Sequence, residues 1–419
     1  MISEPPHHGL LPVDRAVDIV LEAAFELRDN KVGATVRSVS IWEASGMVLA
    51  QDIVADRDLP SFDKSMMDGF ALRTADLDGD QTLTIVGEIA AGGPAPRALQ
   101  PGEAMAIMTG AQVPDGADAV QIVELSERDG DQLRLRAKVA PGANITRAGG
   151  QARAGDVVVA KGRVIEALTA GVLGTFGATS IPVYRRPRVT VLATGNELVN
   201  IEATPGPGQI RDSNRKTLMA LLDSEWCRVV DGGIVLDERA ALRRAIAEGR
   251  DSDVLVLSGG VSAGAYDLVH DCLVSEGCEI LFHQISIKPG KPVLFGRMGQ
   301  TLVFGLPGNP VSAFVTAVLL LAPAVRVLGH RPEHRSWYLP VPLAGTLPPT
   351  GKRTTFHPGD LVRDPATEQL SVRPLPWDGS ADHIGFSLGN VLIRRDAGLA
   401  QAEPGELMRV VLPHALATW

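Results

Sequence analysis

Cysteine is nearly absent from this 419-residue chain. Cys227, Cys272 and Cys278 are odd in number and show no CxxC spacing. That excludes a disulfide framework and a zinc site and points to a reducing compartment, so a cytoplasmic location is expected. Excess positive charge is also missing. The net charge is −9, which excludes a general nucleic-acid binder, since phosphate contacts need a basic face. No run of about 18 apolar residues is free of charge and turn residues, so no membrane span is expected. The opening MISEPPHHGLLPVDRA lacks a basic segment followed by an apolar one, so no signal peptide is expected. Aromatics make up only 4%, against 44 glycines and 29 prolines, which points to many tight turns. Several catalytic signatures are missing: GxxxxGK[ST], GxGxxG after a strand, HExxH and GxSxG. Their absence disfavours P-loop, classical dinucleotide, zincin and α/β-hydrolase chemistry.

What is present is a folded, multidomain composition, with 45% hydrophobic and 21% charged residues. The length exceeds one ordinary core, so about two to four domains are expected. Val13, Val17, Val20, Ala24 and Leu27 fall on one face of an amphipathic helix over about 13–28. From about 34 to 165, short apolar runs alternate with Gly, Pro and Asp turns, which predicts one or two small β-rich modules. From about 187 to 328, apolar runs such as RPRVTVLAT and SDVLVLSGG alternate with helical segments such as NRKTLMALLDSE. That alternation predicts a parallel sheet covered on both faces. After the linker-like HRPEHRSW, the runs YLPVPL, QLSVRPL, GNVLIRR and ELMRVVL predict a small terminal β-barrel or sandwich.

Open parallel sheets bind ligands beyond the carboxyl ends of their strands. Three segments carry polar residues there: ATGNE at 193–197, SGGVSAGAYD at 258–267 and GLPGNP at 305–310. Glycine after a strand allows close backbone approach, and free N–H groups at a helix start suit phosphate. Each loop alone is equally well a tight turn; three in one domain favour a phosphate-bearing ligand. In IKPGKP at 287–292, prolines and a glycine hold Lys288 and Lys291 in a rigid turn, a pairing suited to an oxyanion or pyrophosphate. In QIRDSNR at 209–215, Asp212 or Ser213 is a candidate helix cap. Glu197, Asp212, Asp237 and Asp267 can offer oxygens to Mg²⁺, although a scattered Asp is as readily a turn residue. The PSFDKSMMDGFA stretch at 60–71 places two acids, a lysine and two methionines in a turn-rich context, and Thr109 follows another strand.

Taken in order, PSFDKSMMDGFAL, IMTGAQVPDGADAVQIVE, ATGNELV, GQIRDSN, SGGVSAGAYD, IKPGKPVLFG and FGLPGNPVSAF resemble the MoeA family, to which the gephyrin E domain belongs. The resemblance runs from about residue 13 to the C-terminus. It implies a multidomain α/β plus β fold, with a MogA/MoaB-like α/β domain built on a parallel-rich sheet, inserted β-rich modules and a C-terminal β-barrel. The implied divisions are a helical segment at 1–29, a β-rich linker domain at 30–52 and 149–178, and an inserted domain at 53–148. The α/β domain at 179–330 and the barrel at 336–419 complete them.

The implied activity is that of a molybdopterin molybdenumtransferase, which uses Mg²⁺ to cleave adenylylated molybdopterin, inserts molybdate into the dithiolene and releases AMP. Asp68, Thr109, Glu197, Asp267, Lys288 and Lys291 match catalytic positions. Glu197, Asp237 and Asp267 would hold Mg²⁺. Ser258, Gly259, Gly260, Ser262 and Gly264, with Pro307, Gly308, Asn309, Asp212, Asn214 and Arg353, would bind the pterin substrate. The resemblance also implies a homodimer with a shared cleft, an upstream MogA-like adenylyltransferase and recipient molybdoenzymes. Neither nucleic acid nor membrane is implied as a partner. The chain departs from the family pattern at Lys64 (usually Asn), Gln151 (in place of the GED motif), Gln284 (usually basic) and Pro358 (usually Arg). These departures keep open a related pterin or nucleotide hydrolase without the molybdate step, and a scaffold role.

Overall fold

The computed structural model describes residues 10–30, 35–77, 82–93, 95–223, 227–261, 268–332, 334–335 and 338–413. Its centre is a six-stranded sheet with the order Arg228–Val235, Arg188–Thr194, Val254–Ser258, Thr301–Leu306, Leu294–Met298, Glu279–Phe282. The first four strands run parallel. Val254–Ser258 and Thr301–Leu306 are buried at every position, as strands covered on both faces must be. The sheet is parallel-rich, as expected, and Leu294–Met298 runs against the other five strands. The reason is local: Gly299 at φ +60 turns the chain straight back, leaving no room for a crossover helix.

The expected N-terminal helix is Val13–Asn30. Its buried face, Val13, Ala16, Val20, Ala24 and Leu27, packs with the helical run 310–328 into the largest apolar core. That run, Pro310–Leu328, is long and apolar enough to cross a membrane, but 89% of its most apolar window is buried inside the fold. Its apolar character is that of a core helix.

Two β-rich regions interrupt the chain between the N-terminal helix and the central sheet. Val36–Ser40 pairs with Ser180–Tyr184, and Ile53–Val54 with Val157–Val159, around a core that includes Leu49, Ile165 and Leu173. The other region is a six-stranded sheet from Gly69–Leu72 to Gln132–Leu135. The C-terminal region forms a sheet in the order Ile287–Lys288, Thr354–Arg363, Val391–Arg395, Leu407–Val411, Tyr338–Pro342, with Leu370–Pro374 on Thr354–Arg363. A bridge between Leu343 and Val372 joins the two ends, so the strands close on themselves. Closure leaves few unpaired edges. The pairing of Ile287–Lys288 with Thr354 and Thr355 welds the KPGKP turn to this C-terminal sheet.

Candidate functional site

Four parallel strands end at one edge and deliver the predicted loops there. After Arg188–Thr194 come Gly195 and Glu197; after Arg228–Val235 comes Asp237; after Val254–Ser258 come Gly259 and Gly260; after Thr301–Leu306 come Pro307 and Gly308. Gly259 N donates to Leu306 O at 3.0 Å, which draws the two glycine loops together. Gly259 has φ +96, and a Cβ there would lie 2.4 Å from Thr194 O. Only glycine lets the backbone pass that close.

Asn214 ties this edge together. Its Nδ2 donates to Ser258 Oγ at 3.0 Å and to Gly308 O at 2.7 Å. Its Oδ1 and the Thr194 hydroxyl are buried and have no hydrogen-bond partner among the described residues. Asp212 caps the helix Asn214–Asp223 by accepting from Arg215 N at 3.1 Å. Arg215, not singled out by sequence reasoning, holds the arrangement in place. Its Nε pairs with Asp212 at 2.9 Å, its Nη1 with Asp231 at 2.7 Å, and its Nη2 donates to Asn200 Oδ1 at 3.3 Å. The basic residue was visible within QIRDSNR; its partners at 231 and 200 were not.

Asp237 has its carboxyl pKa raised, first by burial and second by the negative charge of Glu197. A cation bound there would favour the ionised form that burial and the Glu197 charge disfavour. Among the described residues no three His, Cys, Asp or Glu side chains converge as a metal site. The third expected ligand, Asp267, lies outside the described residues, as do Ser262 and Gly264. Asn309 is exposed, with its amide donating to Ser380 Oγ at 2.9 Å.

The lysine turn forms a second focus. Lys288, Lys352 and Arg353 line an open cavity of about 210 Å³ with Thr350, Thr355 and His357. Arg353 Nη1 donates to Ile287 O at 3.2 Å, so the guanidinium is anchored to the strand that carries Lys288. Gly290 has φ +109, and the loop packs so closely on Thr316 that a Cβ would lie 2.6 Å from its methyl. Lys291 is half-buried on the same turn but does not line the cavity.

Asp68 and Thr109 form a third group. Thr109 donates to Asp68 Oδ1 from its backbone N at 2.6 Å and its hydroxyl at 2.8 Å. The backbone bond, then the hydroxyl bond, hold the Asp68 carboxyl below its ordinary range. Asp63 anchors the same stretch through Arg147 at 2.5 Å and Ala148 N at 2.8 Å. Met66, Met67 and Met108 stand exposed around Asp68 and Thr109 in the sequence. Among the described residues no hydrogen bond or ion pair joins Asp68 or Thr109 to the α/β edge. The predicted residues thus form three groups within one subunit.

Residues 11–177 match the family described as MoeA N-terminal region (domain I and II), and residues 190–327 match a probable molybdopterin binding domain. The chain is 37% identical over 375 residues to a molybdopterin molybdenumtransferase of Haemophilus influenzae, covering 89% of this chain and 92% of that protein. It is 32% identical over 413 residues to a Bacillus subtilis protein of the same name, covering 96% and 94%. A solved MoeA protein of Pyrococcus horikosii superposes with a TM-score of 0.79 at 27% identity, over 97% of this chain and all of that one.

Proposed function

Because the chain belongs to the MoeA family and is a transferase of molybdenum cofactor biosynthesis, we propose that it consumes adenylylated molybdopterin, inserts molybdate into the dithiolene and releases AMP. The observation that carries this reading is the edge where Asn214 joins Ser258 to Gly308, with Glu197 close enough for its charge to raise the Asp237 pKa. Such an edge suits a phosphoanhydride and a divalent cation.

The backbone N–H groups of Gly260 and Gly308 orient the phosphates at the edge where Asn214 joins Ser258 to Gly308. Glu197 and Asp237, with Asp267, hold Mg²⁺; the raised pKa of Asp237 fits a carboxylate waiting for a cation. When bound, Mg²⁺ neutralises charge developing on the phosphoanhydride. Lys288, Lys291 and Arg353 attract molybdate. Asp68 is held ionised by Thr109, which favours positioning of substrate or water over taking up a proton.

Among the described residues no hydrogen bond or ion pair joins Asp68 or Thr109 to the α/β edge of their own subunit. We therefore assign the working cleft to a homodimer, with these residues meeting the partner's α/β edge. The substrate would come from a MogA-like adenylyltransferase, and recipient molybdoenzymes would take the product.

The test is AMP release from adenylylated molybdopterin with Mg²⁺, with and without molybdate. Release that depends on molybdate supports the reading. Release indifferent to molybdate turns the enzyme into a hydrolase that lacks the insertion step.

A further inference from the structure

Asp68 and Thr109 sit on two loops that run side by side, and both loops are pinned at both ends. At one end Ser65 N donates to Ala111 O at 2.9 Å, and Gly110 N donates to Ser65 O at 2.8 Å. At the other end Gly69 pairs with Ile107, the last residue of the strand Glu103–Ile107. Between these fixed points lie residues 66–68 on one loop and Met108 and Thr109 on the other. This register is what lets the Asp68 carboxylate meet Thr109.

Pinned ends still leave the residues between them to be folded, and the side chain of Ser65 does that. Its hydroxyl, on a residue only 1% exposed, donates to Met67 O at 2.6 Å and accepts from Met67 N at 3.3 Å. Among the described residues neither backbone group of Met67 makes another hydrogen bond. Met66 and Met67 are 54% and 42% exposed, so burial does little to hold the turn. Met66 N donates to Asn144 O at 2.8 Å, which leaves the Ser65 hydroxyl as the last tie before Asp68. The chain after Asp68 is rigid. Asp68 O accepts from Val123 N at 3.2 Å, and a Cβ on Gly69 would stand 1.9 Å from Gln121 O.

We propose that Ser65 is a positioning residue for Asp68: its hydroxyl closes the Met66–Met67 turn and thereby aims the carboxylate at Thr109. The inference rests on the reading of Asp68 as the group that positions substrate or water. Ser65 is buried and acts through the backbone of Met67. Without the hydroxyl, both groups of Met67 turn to water and the turn loses its single geometry.

The test is Ser65→Ala in the full-length protein, read in two ways. The first is an NMR titration of the labelled Asp68 carboxyl, which needs no substrate. Thr109 holds this carboxyl below its ordinary range. A loosened turn weakens those bonds, so the midpoint should rise by about half a pH unit or more. The second is AMP release from adenylylated molybdopterin, where kcat should fall roughly tenfold or more while KM changes less than about threefold. Thr74→Val is the control. It removes a hydroxyl bond to Asp118 of 2.6 Å, beyond the far end of the strand Gly69–Leu72, and should leave the Asp68 titration in place whatever it costs in stability. Equal shifts in both variants would make Ser65 merely structural and overturn the proposal. Should Ser65→Ala not fold, Ser65→Cys offers a weaker donor in nearly the same space and should show the same shifts at reduced size. A folded Ser65 variant whose Asp68 titrates as in the wild type would overturn the proposal, whatever its rate of AMP release. The expected titration shift in a protein whose wild type releases no AMP would support the positioning and overturn the transfer reading instead.

Discussion

Thr109 gives both its backbone N–H and its hydroxyl to one oxygen of Asp68, at 2.6 and 2.8 Å. The other oxygen has no hydrogen-bond partner among the described residues, and the residue is exposed. The carboxylate is thereby fixed in direction and kept ionised below the ordinary range. Its charged form is present above that lowered pKa and is lost as pH falls through it.

Thr109→Val removes the hydroxyl bond and leaves the backbone bond. Asp68 should then titrate closer to an ordinary aspartate, so the acid limb of the pH–rate profile for AMP release should move to higher pH. The rate at neutral pH should fall roughly ten- to a hundredfold through lost positioning. An acid limb that stays in place would remove Asp68 from the rate-determining step.

Asp237 carries the opposite shift, raised by burial and by Glu197. Bound Mg²⁺ should lower its pKa, because a cation favours the ionised form. An NMR titration of the labelled carboxyl, with and without Mg²⁺, reads this directly. A pKa that ignores Mg²⁺ up to millimolar concentrations would count against Glu197 and Asp237 as ligands.

Gly290→Ala places a methyl where the Thr316 methyl already lies, 2.6 Å from the ideal Cβ. Thr316 cannot readily turn aside, since it is fully buried and its hydroxyl donates to Ser312 O at 2.7 Å. The turn must shift and carry Lys288 with it. Molybdate KM should rise roughly tenfold or more, with little change in far-ultraviolet circular dichroism. An unchanged KM would show that the turn tolerates the shift.

Asp14 on the N-terminal helix pairs both carboxylate oxygens with Arg394 of the C-terminal sheet at 2.6 Å. The Arg394 side chain is only 4% exposed, while that of Asp14 is 65% exposed. Asp14→Ala leaves the guanidinium with Asp396 and Tyr338 and should cost about 1–3 kcal/mol in chemical denaturation. The Asp14 pKa is lowered mainly by its hydrogen bond to Arg394. Its contribution should therefore be present above the ordinary carboxylate range and fade as pH falls below it. If the variant and wild type differ equally at pH 7 and pH 3, the ion pair is not the cause.

Much of the α/β part was legible in the chain. VTVLAT, VLVLS and LVFGL are mostly apolar runs ended by Gly or Pro-Gly, as strands buried on both faces tend to be. The ten-residue strand Thr354–Arg363 was not legible. Pro358 and Gly359 sit in its middle, and both ordinarily argue against a strand. Packing of Phe356 into the α/β core, and of Val372 and Ile393 over Gly359, overrides that local preference. Glu279–Phe282 escaped notice for a related reason: its alternation is weak and its partner is the turn-linked Leu294–Met298.

By itself the sequence determined the residue types at the site and the glycine loops that carry them, because strand burial and turn chemistry are local properties. It also carried the family pattern, since motif order needs no coordinates. Only the tertiary structure decided which of these residues meet. Arg215 reaches Asp231 and Asn200, Asn214 reaches Ser258 and Gly308, and Trp377 reaches His357. Hydrogen bonds and charge act over a few ångströms in space, and no spacing along the chain encodes which distant side chain will stand at that distance.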